Sequence, residues 1–130
     1  MSSLQRILHV DDEPDIREIV RMSLSMVGGF EVEQFASGME FLENADNAQA
    51  DMIILDVMMP GLDGEETFQK LREIEGFAKT PIVFMTARAS DQDFKRLRDL
   101  GAADVLVKPF DPMTLPDQVR EIWARTQQAV

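Results

Sequence analysis

The chain has 130 residues, a length that fits one compact domain, and its 45% hydrophobic and 28% charged residues are ordinary for a globular protein and argue against disorder. Asp and Glu number 24 against 13 Lys and Arg, a net charge of −11 that repels nucleic-acid phosphates and anionic membranes and suits basic partners or divalent cations. Cysteine is absent, which removes disulfides, thiolate metal sites and cysteine nucleophiles. Residues 1–6 lack the apolar stretch of a signal peptide, and no apolar run reaches the ~18 residues of a membrane span, so a cytoplasmic location is expected.

Ile7, Leu8, His9 and Val10 form a brief apolar run of the kind found in buried strands. Ile16, Ile19, Val20, Met22, Leu24 and Val27 then trace a broad apolar helix face, ended by Gly28 and Gly29. Residues 30–35 alternate with period two, which predicts an edge strand with one exposed face. Ser37 and Glu40 give a capping-box spacing before Phe41 and Leu42. Met52, Ile53, Ile54 and Leu55 are a second buried run, followed by a helical stripe of Phe68, Leu71 and Ile74 that Gly76 stops. Ile82 to Met85 repeat the strand pattern, and Phe94, Leu97 and Leu100 repeat the helix, stopped by Gly101. Val105, Leu106 and Val107 make a fifth strand, and Val119, Ile122 and Trp123 belong to a last helix. Asp111 and Pro112 look like a cap followed by proline, but Pro116 would then fall where a backbone N–H is wanted. A late start or an irregular first turn is expected there.

Five strands alternating with five helices predict an α/β fold, a doubly wound parallel sheet covered on both faces, in one domain spanning residues 1–130. In such a sheet, ligands bind beyond the carboxyl ends of the strands. Asp11, Asp12 and Glu13 follow the first strand, Asp56 the third, Thr86 the fourth and Lys108 the fifth. Taken singly, each has an ordinary reading as a turn residue, helix cap or surface charge. Together they bring carboxylates, a hydroxyl and an ammonium to one edge. Clustered carboxylates repel unless a cation neutralises them, and oxygen-only ligation suits Mg²⁺. With the metal and Lys108 drawing in a phosphate and Thr86 donating to it, Asp56 is placed to act as nucleophile toward phosphorus.

Val10 to Pro14, Leu55 to Gly64, Met85 to Ala87, and Gly101 through Lys108 to Phe110 together resemble the receiver domain of two-component response regulators, chemotaxis regulators included. The resemblance implies a flavodoxin-like strand order 2-1-3-4-5 and a phosphoryl group passed to Asp56 from a phosphohistidine on a histidine kinase or histidine phosphotransfer protein. It implies that Asp12, Asp56 and the backbone carbonyl of Met58 ligate Mg²⁺, with Asp11 acting through water. Thr86 and Lys108 would contact phosphoryl oxygens, and Lys108–Pro109 would be a cis peptide. A downstream protein would be engaged through the fourth helix, fifth strand and fifth helix, by a monomer or a phosphorylation-dependent dimer, without direct nucleic-acid or membrane binding.

Two departures stand out. Val105 occupies the place where receivers commonly carry Tyr or Phe, so an aromatic rotamer switch there is excluded. Met58 and Arg88 flank the phosphosite where some fast-hydrolysing relatives carry groups able to orient water. Two other readings match part of this residue set. A haloacid-dehalogenase-like phosphatase also uses a strand-end Asp with Mg²⁺, but needs a second Asp where this chain has Met58. A receiver-like scaffold would bind partners without phosphorylation, against the presence of Asp56, Thr86 and Lys108. His9, the only histidine, reads as structural, and the run from Lys95 to Arg98 as a solvated face or a docking surface.

Overall fold

The computed structural model describes residues 4–44, 50–74, 76–87 and 90–128. Strands β1 (Arg6–Val10), β2 (Glu31–Phe35), β3 (Met52–Asp56), β4 (Ile82–Thr86) and β5 (Asp104–Val107) form one parallel sheet in the order β2-β1-β3-β4-β5. Between and after them run α1 (Pro14–Arg21), α2 (Gly38–Asn44), α3 (Gly64–Arg72), α4 (Asp91–Leu100) and α5 (Leu115–Gln128). This is the expected doubly wound α/β architecture, with the strand order implied by the resemblance.

The apolar runs that look continuous in sequence divide by strand alternation between two cores. Leu8, Val10, Ile53, Leu55, Ile82 and Phe84 pack with Phe41, Phe68, Leu71 and Leu97, so α2, α3 and α4 cover one face. Ile7, Met52, Ile54, Val83, Met85 and Leu106 pack with Val20, Leu24, Leu115, Val119 and Ile122, so α1 and α5 cover the other. Fully burying one such side chain contributes about 1.5–3 kcal/mol, which makes the two cores the main source of stability. The chain leaves β1 toward β2 on one side and returns to β3 on the other. A crevice therefore opens between the carboxyl ends of β1 and β3.

The first helix differs from its predicted stripe. α1 continues as a π-helical segment, Met22–Val27. Its wider turn moves later side chains off a 3.6-residue repeat. Val20, Ser23 and Leu24 are buried, whereas Ile19, Met22 and Val27 are 39%, 46% and 49% exposed. Ser23 Oγ donates to the Pro112 carbonyl, which ties this segment to the β5–α5 loop. α3 ends at Arg72, short of Ile74, although Ile74 still packs on the same core. The late start of α5 is observed. Asp111 accepts from the Met113 N–H through its side chain and from the Leu115 N–H through its carbonyl. Pro116 then falls in the first turn, where no N–H is needed. β2 is an edge strand with alternating exposure, as its period predicts.

Candidate functional site

The sheet delivers the predicted residues to one place. Asp11 follows β1 directly, Asp56 and Thr86 are the last residues of β3 and β4, and Lys108 follows β5 directly, with a cis peptide bond from it to Pro109. Asp56 and Thr86 thus belong to the strands rather than to the loops after them, because the ladder still pairs Asp56 with Met85 and Thr86 with Val107. One carboxylate oxygen from each of Asp11, Asp12, Glu13 and Asp56 lies within 4.8 Å of the others. Asp11, Asp56 and Thr86 are buried, Asp12 is half-buried and Glu13 is exposed. Lys108 Nζ stands 3.1 Å from Asp11 Oδ2, 3.2 Å from Asp56 Oδ1 and 3.7 Å from Glu13 Oε1.

The electrostatics are those of a site short of positive charge. Burial and the charge of Asp11 push the Asp56 carboxyl up to about 6, against the opposing pull of Lys108. Burial works against the Lys108 ammonium, but the hydrogen bond and charge of Asp11 and the charge of Asp56 outweigh it and hold its pKa above the ordinary lysine value. Burial, with the charges of Lys108 and Arg17, lowers His9 to about 3. Asp56 Oδ2 is buried without a hydrogen-bond partner among the described residues. Asp11 Oδ2 likewise lacks a well-aligned hydrogen bond there, although Lys108 pairs with it, and several hard oxygen donors so under-satisfied are a donor set that fits a hard divalent cation.

The β3–α3 loop is shaped around Asp56. Asp63 caps α3 with a reciprocal capping box, its side chain accepting from the Glu66 N–H while Glu66 accepts from the Asp63 N–H. A Cβ on Gly64 would lie 2.2 Å from the Asp56 carbonyl oxygen, so only glycine lets the helix start so close to the strand end. Met58 is 58% exposed. With Met59, Pro60, Thr86 and Arg96 it lines an adjoining cavity of about 560 Å³. Arg88, predicted to flank the same place, lies outside the described residues.

A family model for the response regulator receiver domain matches residues 7–120. The chain belongs to the response regulator receiver family. It is 38% identical over 125 residues to the DNA-binding dual master transcriptional regulator RpaA of Synechocystis sp., covering 96% of this chain and 52% of that protein. Response regulator Rre1 of the same organism is 40% identical over 121 residues, with 93% and 52% covered. The chain thus spans about half the length of these relatives. Among solved structures, chemotaxis protein CheY4 of Vibrio cholerae superposes with a TM-score of 0.85 at 36% identity, covering 92% of this chain and 99% of CheY4. The receiver domain of Francisella response regulator 1452 gives 0.82 at 27% identity, with 94% and 98% covered. A receiver is a signalling module rather than a classical enzyme, and among the described residues no helix is long and apolar enough to cross a membrane.

In this receiver, Val105 is half-buried and packs against the core that holds Phe84. Beside it, Asp104 joins α4 and α5. Arg98 reaches its Oδ1 at 3.2 Å and Arg125 its Oδ2 at 2.6 Å. The basic run on α4 is largely answered within the chain, with Lys95 near Asp99, Arg96 near Glu65 and Asp93, and Arg98 on Asp104. Sequence reasoning missed the layer beneath the acidic cluster. Gln34 touches His9, and Arg17 donates to the Asp11 carbonyl at 2.8 Å. The available signal was strand alternation, which puts His9 on the same side as Asp11.

Proposed function

We propose that this receiver takes a phosphoryl group onto Asp56 from a phosphohistidine on a histidine kinase or histidine phosphotransfer protein. The observation that carries the reading is Lys108 Nζ bridging Asp56 Oδ1 and Asp11 Oδ2 at 3.2 and 3.1 Å, with Asp56 Oδ2 unpartnered among the described residues. A carboxylate oxygen of Asp56 attacks phosphorus, the P–N bond to the donor imidazole breaks, and its electron pair stays on the departing nitrogen. Lys108 turns from carboxylates to phosphoryl oxygens and offsets their charge, and the Thr86 hydroxyl donates to another of them. Asp12, Asp56 and the Met58 carbonyl would hold Mg²⁺, with Asp11 acting through water. The metal, when bound, offsets charge on the carboxylates and on the phosphoryl oxygens.

On this reading residues 1–130 act as one receiver unit in the cytoplasm, as a monomer or a phosphorylation-dependent dimer. The unit catalyses only its own phosphorylation and dephosphorylation and does not itself bind nucleic acid. Output passes to a downstream protein through α4, β5 and α5, whose shared contact is Asp104 with Arg98 and Arg125. Incubation with Mg²⁺ and phosphoramidate is expected to add one phosphoryl group by intact mass, and Asp56→Asn to add none. Undiminished labelling of Asp56→Asn would sink the assignment.

A further inference from the structure

His9 stands in β1 two residues before Asp11, so the two side chains leave the same face of the sheet. It is fully buried, and it takes no part in the phosphoryl transfer to Asp56. Its surroundings determine which ring nitrogen carries the proton. Gln34 Nε2 lies 2.6 Å from the Arg17 carbonyl oxygen. That atom can only accept, so the amide nitrogen of Gln34 points there and its oxygen does not. The second hydrogen of the same nitrogen faces His9 Nδ1 at 3.1 Å, which makes Nδ1 the acceptor. In a neutral imidazole the proton then sits on Nε2. Nε2 has no hydrogen-bond partner among the described residues, and the carboxylate oxygen it faces is Asp11 Oδ2 at 3.8 Å.

Asp11 Oδ1 is already held by the Glu13 N–H at 2.9 Å, and Arg17 holds the Asp11 carbonyl. The remaining oxygen, Oδ2, has Lys108 on its outer side. Lys108 is shared with Asp56 and Glu13, and it is the group that turns to the phosphoryl oxygens. We infer that His9 is a positioning residue for Asp11: its Nε2–H, oriented by Gln34, faces Oδ2 at 3.8 Å and closes on it once Lys108 no longer holds that oxygen, which keeps the carboxylate aimed at the metal. A shift of about 0.8 Å in the carboxylate brings this contact to hydrogen-bond distance. The inference rests on the reading of Asp11 as a metal-site residue.

The test uses the single histidine as its own label. Nitrogen-15 NMR of the metal-free protein at neutral pH is expected to show His9 protonated on Nε2 only, and Gln34→Leu to remove that preference. Mg²⁺ titration followed by amide shifts is expected to show His9→Leu binding about five- to tenfold more weakly, the loss of roughly one hydrogen bond of ordinary net strength. His9→Gln, whose amide can donate in place of the ring, is expected to recover most of the affinity. A purely packing role would lower the melting temperature of His9→Leu and leave its Mg²⁺ affinity unchanged, and that result overturns the inference. So does an Nδ1–H tautomer in the parent protein, a measurement that needs no variant to fold. A parent that binds no Mg²⁺ overturns the metal-site reading and this inference together, whereas equal binding by parent and His9→Leu overturns this one alone.

Discussion

Removing the charge of Asp56 is expected to stabilise the metal-free protein. Asp56→Asn keeps the shape of the side chain and leaves an oxygen able to accept from Lys108. It removes a carboxylate whose pKa is raised from 3.8 to about 6 by burial and by Asp11. At 1.36 kcal/mol for each pH unit, that displacement corresponds to about 3 kcal/mol. The weakened Lys108 contact offsets part of it, although Lys108 retains Asp11 and Glu13, so the expected gain is about 1–3 kcal/mol. The pH dependence follows from the sign. Because the native pKa lies above the unfolded one, the folded state holds the proton more tightly, and parent stability falls as pH rises from 3.8 to about 6 and stays lower beyond. The variant has no such loss. The difference between the two proteins should therefore be near zero below pH 3.8 and full at neutral pH. Urea unfolding with chelator present, followed by Trp123 fluorescence, measures it. Equal stability at neutral pH, or a difference independent of pH, would refute the idea that the site holds an under-neutralised charge.

Mg²⁺ should relieve the same uncompensated charge and stabilise the parent by roughly 1–3 kcal/mol at 10–100 times its dissociation constant. Asp12→Asn should lose that effect, and a melting temperature indifferent to millimolar Mg²⁺ would count against the metal site. Gly64→Ala should destabilise the protein by about 1–3 kcal/mol, since the new methyl meets the Asp56 carbonyl and Val57 backbone. It should also slow phosphorylation by displacing Asp56, and parent-like values in both assays would show that the loop yields freely. The phosphoryl group is expected to be long-lived for a receiver, because Met58 offers an attacking water only a weakly accepting thioether. Met58→Asn should speed phosphate loss at fixed Mg²⁺, and no acceleration would remove Met58 from control of the lifetime.

The alternation of short apolar runs with amphipathic stretches determined the α/β class by itself, because strand and helix periods are local properties of the chain. The positions of Asp11, Asp56, Thr86 and Lys108 relative to those runs were equally legible, since a residue at the end of a parallel strand has one edge of the sheet to occupy. Tertiary packing decided what local pattern leaves open. Val20 and Leu24 of the predicted apolar stripe are buried, but Ile19, Met22 and Val27 are partly exposed and Ser23 takes an inward place, where it bonds to the Pro112 carbonyl 89 residues away in sequence. The raised pKa of Asp56 is likewise a product of depth and of charges brought from separate strands, and no window of sequence contains both. His9 shows the division most plainly. Its place in a strand is written in its neighbours, but its tautomer and its aim at Asp11 come from Gln34 on β2 and Arg17 on α1, and only the folded chain brings them together.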